Sequence, residues 1–242
     1  MRTFRHGILM AGLLLAGCAG MSPELQGIFN DAVLAAGTGT QPGEIEIAAG
    51  LREALAVGTS RAVGRLGVTD GYWSNAQLNI PLPENLKKAE KALRAIGQGR
   101  TVDEFHLSLN RAAEAAVPEA LPIFKDAIRG MTLQDARTIL DGTPTAATDY
   151  FRGRTQGPLA ARFKPIVMNA TSAVGATRKY KELAGKVGKY VNGFEAQDLD
   201  QYVTDRALAG LFRTLADEET KIRRDPAART TELLKKVFGQ AH

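Results

Sequence analysis

From Gly43 onward, apolar residues recur at intervals of three and four with almost none of the strict alternation of a half-buried strand. That periodicity predicts an all-α domain. The first helix is expected over Glu44–Leu66, where Ile47, Leu51, Leu55, Gly58 and Ala62 share a face and Gly67 stops it. Thr69–Pro83 breaks the pattern: Asp70-Gly71 signals a turn, and Pro81 and Pro83 favour an extended segment. A second helix is expected with Leu86, Ala89, Leu93 and Ile96 inward, closing at Gly97-Gln98-Gly99. Thr101-Val102-Asp103-Glu104 then reads as a capping box opening a third, whose buried face is Val102, Phe105, Leu109, Ala112, Ala113 and Ala116 until Pro118 interrupts it.

Beyond Gly130 the predicted helices shorten. One starts at Thr132 and closes at Asp141-Gly142, and another starts at Thr143-Pro144 and runs through Tyr150 and Phe151. Gly157-Pro158 opens a longer one with Leu159, Phe163, Val167, Ala170 and Val174 in register, bent near Pro165. Residues 184–197, with three glycines, read as a connection. Asp198 caps a helix from Leu199 to about Arg224, and Asp225-Pro226 starts the last, a cap followed by proline at the first helical position. Short helices with proline starts and no internal repeat point to an irregular orthogonal multi-helix bundle rather than a regular four-helix bundle.

Ahead of this domain the chain has a different character. Arg2 and Arg5 precede an apolar run, Ile8–Leu15, too short to span a bilayer, and Leu15-Ala16-Gly17-Cys18 follows. This resembles a bacterial lipoprotein signal peptide. The resemblance implies cleavage after residue 17 and acylation of Cys18 by palmitate-like chains, which together anchor stably where one chain holds only marginally. Ala19, standing where a retention Asp occurs in some lipoproteins, favours the outer membrane's periplasmic leaflet. The expected organisation is therefore a signal at 1–17, an acylated cysteine and flexible tether at 18–42, and a helical domain at 43–242.

Composition narrows the choices. Cys18 is the sole cysteine, so no disulfide and no thiol chemistry remain once it carries lipid. Losing Arg2 and Arg5 lowers the net charge by two from +5, and no basic run concentrates what is left. Mild charge in the periplasm argues against nucleic acid as a partner and for a solvated surface.

Three stretches stand out together: Ser108-Leu109-Asn110-Arg111-Ala112-Ala113-Glu114, Ala147-Thr148-Asp149-Tyr150-Phe151 and Ile222-Arg223-Arg224-Asp225-Pro226-Ala227-Ala228-Arg229. With Ile80-Pro81-Leu82-Pro83 and Leu233-Leu234-Lys235-Lys236-Val237-Phe238-Gly239 in order, the chain resembles an uncharacterised bacterial family, domain of unknown function number four-one-nine-seven, from about residue 44 to 239. The resemblance implies a helical, exported and often lipid-anchored protein. It supplies neither an activity nor catalytic residues.

The candidate chemistry is sparse. His106, Asn110 and Glu114 recur every fourth residue beside Asp103, forming one stripe at the border of the apolar face. They read as a base or ligand set, or as a hydrogen-bonded structural stripe; the paired Glu-x-x-His motifs of a di-iron bundle are missing. Glu218, followed by Glu219, interrupts the apolar series Ala207, Leu211, Leu215, Ile222, so it is expected to join an arginine in a partly buried network. Arg111, Arg223 and Tyr150 are the candidate partners. Gly97-Gln98-Gly99 has amides free for an anion but no phosphate-loop lysine, and no serine sits in a nucleophile elbow. Tyr72 and Trp73, with Leu78, Ile80, Leu82 and the prolines, form either an exposed apolar lip for a lipid or protein or a cover over the core's open end. No metal or cofactor is expected. The leading expectation is a lipid-anchored binding or envelope-assembly module with a protein or lipid partner. The alternative is an enzyme acting on an envelope substrate through Glu218, Glu219 or His106.

Overall fold

A computed structural model describes residues 42–173 and 198–225, with residues 175, 178 and 182. The described residues form an all-α multi-helix fold: α1 (Pro42–Leu66), α2 (Lys87–Ala95), α3 (Gly99–Ala116), α4 (Ala120–Arg129), α5 (Leu133–Leu140), α6 (Ala146–Ala173) and α7 (Leu199–Arg224). Short 3-10 turns at Glu84–Leu86 and Val117–Glu119 lead into α2 and α4. The signal, the tether, the 184–197 connection and the helix expected after Asp225 lie outside the described residues.

The core lies where α6 and α7 pack together, with α3 against both and α1 closing the other side of α7. Phe124, Phe151, Phe163 and Phe212 are all fully buried there, and Phe124 meets Phe151 edge-on with ring centroids 5.1 Å apart. The buried face of α6 is Ala147, Phe151, Thr155, Leu159, Phe163, Val167 and Thr171, a strict step of four. Each such step turns about 40° around a 3.6-residue helix. The stripe therefore winds around α6, allowing one helix to pack against α3, α4, α5 and α7 in turn.

The helix starts expected at Thr143-Pro144 and Gly157-Pro158 merge into this single helix, which contains Pro158 and Pro165. A proline inside a helix withdraws one amide from the carbonyl four residues earlier. Those carbonyls belong to Arg154 and Ala161, both exposed residues, so neither lies on the buried face of the helix. The buried Thr155 hydroxyl bonds back to the Phe151 carbonyl at 2.7 Å.

Two expectations fail near α2. Ile96 is 73% exposed because α2 ends at Ala95 and the chain turns out through Gly97, whose φ is +77°. The amide of Gln98 reaches the Leu93 carbonyl at 2.8 Å and that of Gly97 reaches Arg94 at 3.1 Å, a Schellman ending that leaves Ile96 outside. The capping box expected at Thr101–Glu104 does not form. Helix α3 begins at Gly99, placing Thr101 inside the first turn, where its hydroxyl donates to Gln98 Oε1. A true capping box opens α5 instead: Thr132 Oγ1 accepts from the Asp135 amide and Asp135 Oδ2 accepts from the Thr132 amide.

Tyr72 plugs the core from the 67–83 loop. Its ring is fully buried and its hydroxyl donates to the Ala207 carbonyl at 2.6 Å. Burial, and secondarily the charge of Glu114, hold that phenol far above its ordinary pKa, so it remains a donor. Gly210, one helical turn along α7, lies under the ring: a Cβ there would stand 2.6 Å from Tyr72 Cε1. Gly210→Ala should displace the ring and destabilise the domain by about 1–3 kcal/mol, read as a lower urea midpoint; an unchanged midpoint would show that the ring has room to move.

Candidate functional site

The stripe on α3 is built, with Asn110 and Glu114 buried and His106 half-buried, and its target is the chain's own loop. Glu114 Oε1 accepts the amides of Tyr72 and Trp73 at 3.0 and 3.1 Å, while Oε2 takes Arg111 Nη1 at 2.6 Å. Arg111 reaches on to Asp70, whose positive φ of 71° makes the turn. Asn110 treats Ile80 as a strand neighbour would: its Oδ1 accepts the Ile80 amide at 2.8 Å and its Nδ2 donates to the Ile80 carbonyl at 3.1 Å.

His106 completes the series. Its Nε2 lies 2.8 Å from the Ile80 carbonyl, which only accepts, so Nε2 carries the proton and also faces Asn79 Oδ1 at 3.0 Å. The imidazole edge meets Trp73 with centroids 4.9 Å apart. Burial pushes the His106 pKa below its ordinary value, an effect only partly opposed by the hydrogen bond to Ile80 and by the charges of Glu90 and Asp103. The residues read as a base or ligand set thus stitch an irregular segment to a helix. Tyr202 secures the segment from the opposite side, donating to the Pro81 carbonyl at 2.9 Å. With Tyr72, Ile80 and Leu82 buried, the segment covers the core's open end, and the exposed-lip reading is corrected.

Glu218 and Glu219 are 5% and 8% exposed. Glu218 joins a partly buried network, as its position on the apolar stripe requires, but its arginine is Arg65 from α1, at 2.8 Å, with Lys221 at 3.1 Å. Arg111 belongs to the loop cluster on α3, Arg223 pairs with Glu219, and Tyr150 donates to the Ala127 carbonyl at 3.2 Å. The partners expected for Glu218 therefore serve other contacts.

Glu219 has the more consequential role. Its two oxygens accept the Ala147 amide at 3.0 Å, the Thr148 amide at 2.9 Å and the Thr148 hydroxyl at 2.9 Å. These amides are among those that a helix start leaves without internal partners, so a side chain on α7 caps α6. Arg223, one turn later, holds Glu219 at 3.0 Å and donates to the carbonyls of Ile139 at 2.7 Å and Leu140 at 3.4 Å, at the end of α5. An anion sits at the positive end of one helix and a cation at the negative end of the other.

Beside this pair lies a small apolar cleft, walled by Leu51, Leu55, Gly58, Phe151, Leu215 and Ile222. None of Glu218, Arg111 and Tyr150 lines it. The lining carboxylate, Glu219, has both oxygens engaged, on the α6 cap and on Arg223. Among the described residues no group of three or more His, Cys, Asp or Glu is placed to hold a metal ion.

A family model described as a protein of unknown function, DUF4197, matches residues 41–239, spanning both polar clusters and every described helix. The chain belongs to this family. Neither the comparison with curated proteins nor that with solved structures returns a match.

The DUF4197 domain's clusters make two predictions. Glu219→Ala strands two buried amides and Arg223, and should cost about 2–4 kcal/mol in chemical denaturation; a loss below 1 kcal/mol would mean that water replaces the carboxylate. For His106, the lowered folded pKa means that the unfolded chain takes up the proton first as pH falls. Its contribution is present above the unfolded value of about 6.5 and is lost as pH falls through the lower folded value. Stability measured from about pH 7 to 5 should decline less steeply in His106→Gln than in the parent; parallel curves would contradict this assignment.

Proposed function

We propose that this protein is a lipid-anchored periplasmic module of the bacterial envelope, tethered through Cys18 and working by binding or assembly rather than by covalent chemistry. The observation that carries the reading is the use made of the buried and half-buried polar groups. Glu114, Glu218, Glu219, Asn110 and His106 each hold two parts of the same fold together. What supports the address is Leu15-Ala16-Gly17-Cys18 after a short apolar run, together with some two dozen residues between Cys18 and α1. A spacer of that length gives the domain a reach of roughly 25–30 Å as a flexible coil, enough to meet a partner beside the membrane. No helix among the described residues is long and apolar enough to cross a membrane, so lipid on Cys18 supplies the attachment in this reading.

The test follows the anchor and then the partner. Cells fed radiolabelled palmitate should label the parent protein and not Cys18→Ala, which should move from the membrane fraction to the soluble periplasm. Photo-crosslinkers at exposed positions such as Arg152 and Gln156 on α6 should give one specific adduct in intact cells, weakened by Cys18→Ala. Unlabelled parent protein would refute the anchor, and an absence of any specific adduct would refute the binding role.

A further inference from the structure

The arginines of the two polar clusters are each matched by a carboxylate: Arg111 by Glu114 and Asp70, Arg65 by Glu218, Arg223 by Glu219. Arg52 of α1 is not. The residue is half-buried, and its Nη2 donates to the Met131 carbonyl at 2.6 Å. Its Nε is buried without an acceptor, and no carboxylate among the described residues pairs with the group. Burial accordingly pulls its pKa below the ordinary value, opposed by Tyr150. A guanidinium stays charged in a protein whatever its surroundings, so a donor and a charge are both left unmatched.

A second guanidinium converges on the same place. Arg52 and Tyr150 share one corner of the fold because each donates to the chain around the α4–α5 turn, Arg52 to the Met131 carbonyl and the Tyr150 hydroxyl to that of Ala127. Arg154, one turn along α6 from Tyr150, places its guanidinium carbon 5.1 Å from the centre of the Tyr150 ring. Burial chiefly raises the phenol's pKa, so Tyr150 keeps its proton; the charges that act on it are those of Arg154, Asp135 and Arg52. Asp135 is already engaged. Its Oδ2 accepts the Thr132 amide and hydroxyl at 2.9 Å each and stands 3.6 Å from Arg154, beyond hydrogen-bond reach. Two guanidinium groups and one carboxylate therefore surround the ring, and both arginines keep donors to spare.

We propose that Arg52 and Arg154 bind a phosphate group at this corner between α1, the α4–α5 turn and α6. The donor set favours phosphate over a carboxylate. One guanidinium edge consumes both oxygens of a carboxylate, whereas a phosphate offers further oxygens to a second arginine. Arg52 gains the countercharge that the fold withholds, and Arg154, with a side chain 54% exposed, meets the anion from the solvent side. The phosphate belongs to a soluble ion or ester or to a lipid headgroup, and the recognition is the same. The site does not depend on acylation of Cys18.

Titration with inorganic phosphate tests it in the full chain, read from the Nε–H signals of Arg52 and Arg154 in heteronuclear magnetic resonance spectra. Both signals should shift and saturate with phosphate, and not with chloride at equal ionic strength. Arg154→Gln and Arg52→Lys should each weaken phosphate about tenfold, the lysine because it keeps the charge but loses the planar fork. Arg213→Gln, which alters an arginine bonded to Gln77 from α7, should leave the affinity unchanged. An equal response to chloride, acetate bound as tightly as phosphate, or full affinity in Arg154→Gln would each overturn the proposal. If Arg52→Lys fails to fold, the exposed position 154 decides. Flotation of the Cys18→Ser chain with vesicles of phosphatidylglycerol or of phosphatidylcholine separates the sources, free of any acyl anchor. Retention on phosphatidylglycerol alone, abolished by Arg154→Gln, assigns the phosphate to an anionic headgroup; saturation by free phosphate without retention assigns it to a soluble ligand.

Discussion

Glu219 and Arg223, one helical turn apart on α7, end two helices at once. The carboxylate receives the first free amides of α6 and the guanidinium receives the last carbonyls of α5. The corner between α5 and α6, residues 141–145, is thereby held by a third helix distant in sequence. Helix ends are costly to bury unless their polar groups are met. Here the charges that meet them also match the helix dipoles and lie next to the cleft that α1 closes. Helix α7 can bury its face only with α5 and α6 in register, and Phe151, Phe212 and Leu215 take their places on that condition.

The same device appears at the other end of the bundle with a loop in place of a helix start. Residues 67–83 contain three extended or turning segments whose amides and carbonyls have no ladder to join. Glu114, Asn110 and His106, one turn apart on α3, supply the acceptors and donors in the order the loop requires them. Buried ionic and amide groups add little net stability compared with apolar packing, but they are severe on any register that leaves them unmet. In both clusters the polar residues select one arrangement of helices whose apolar faces, rich in alanine, would accept several.

The periodicity that identifies the helices is local, and it was sufficient for α1, α3, α5 and α7, whose ends coincide with Gly67, Pro118, Asp141-Gly142 and Asp198. It erred where a local signal was overruled by distant partners. Pro158 looks like a helix start, yet the helix continues because the buried stripe of α6 carries through it and the carbonyl that loses its amide belongs to Arg154, an exposed residue. Thr101 and Glu104 have the spacing of a capping box, but α3 begins at Gly99. Ile96 fits the stripe of α2 by spacing alone and is lost to the Schellman turn at Gly97.

The candidate site was legible in a corresponding way. A carboxylate interrupting an apolar series marks a buried charge, and Glu218 is buried, as are its neighbour Glu219 and Glu114 at the border of the α3 apolar face. Nothing in the spacing names the partner, because the ligands of Glu219 are main-chain amides 71 and 72 residues away, and an amide has no signature in a sequence. Arg65 could be found only by knowing that α1 and α7 run antiparallel. This sets the terms on which a buried acidic residue in a small helical domain is to be read. The prior for catalysis rises only when the carboxylate keeps an oxygen free and facing space. In this fold Glu219, the carboxylate that borders the cleft, has spent its oxygens on the helix that forms the cleft's wall, so removing it would erode the cavity's shape before it altered any reaction within.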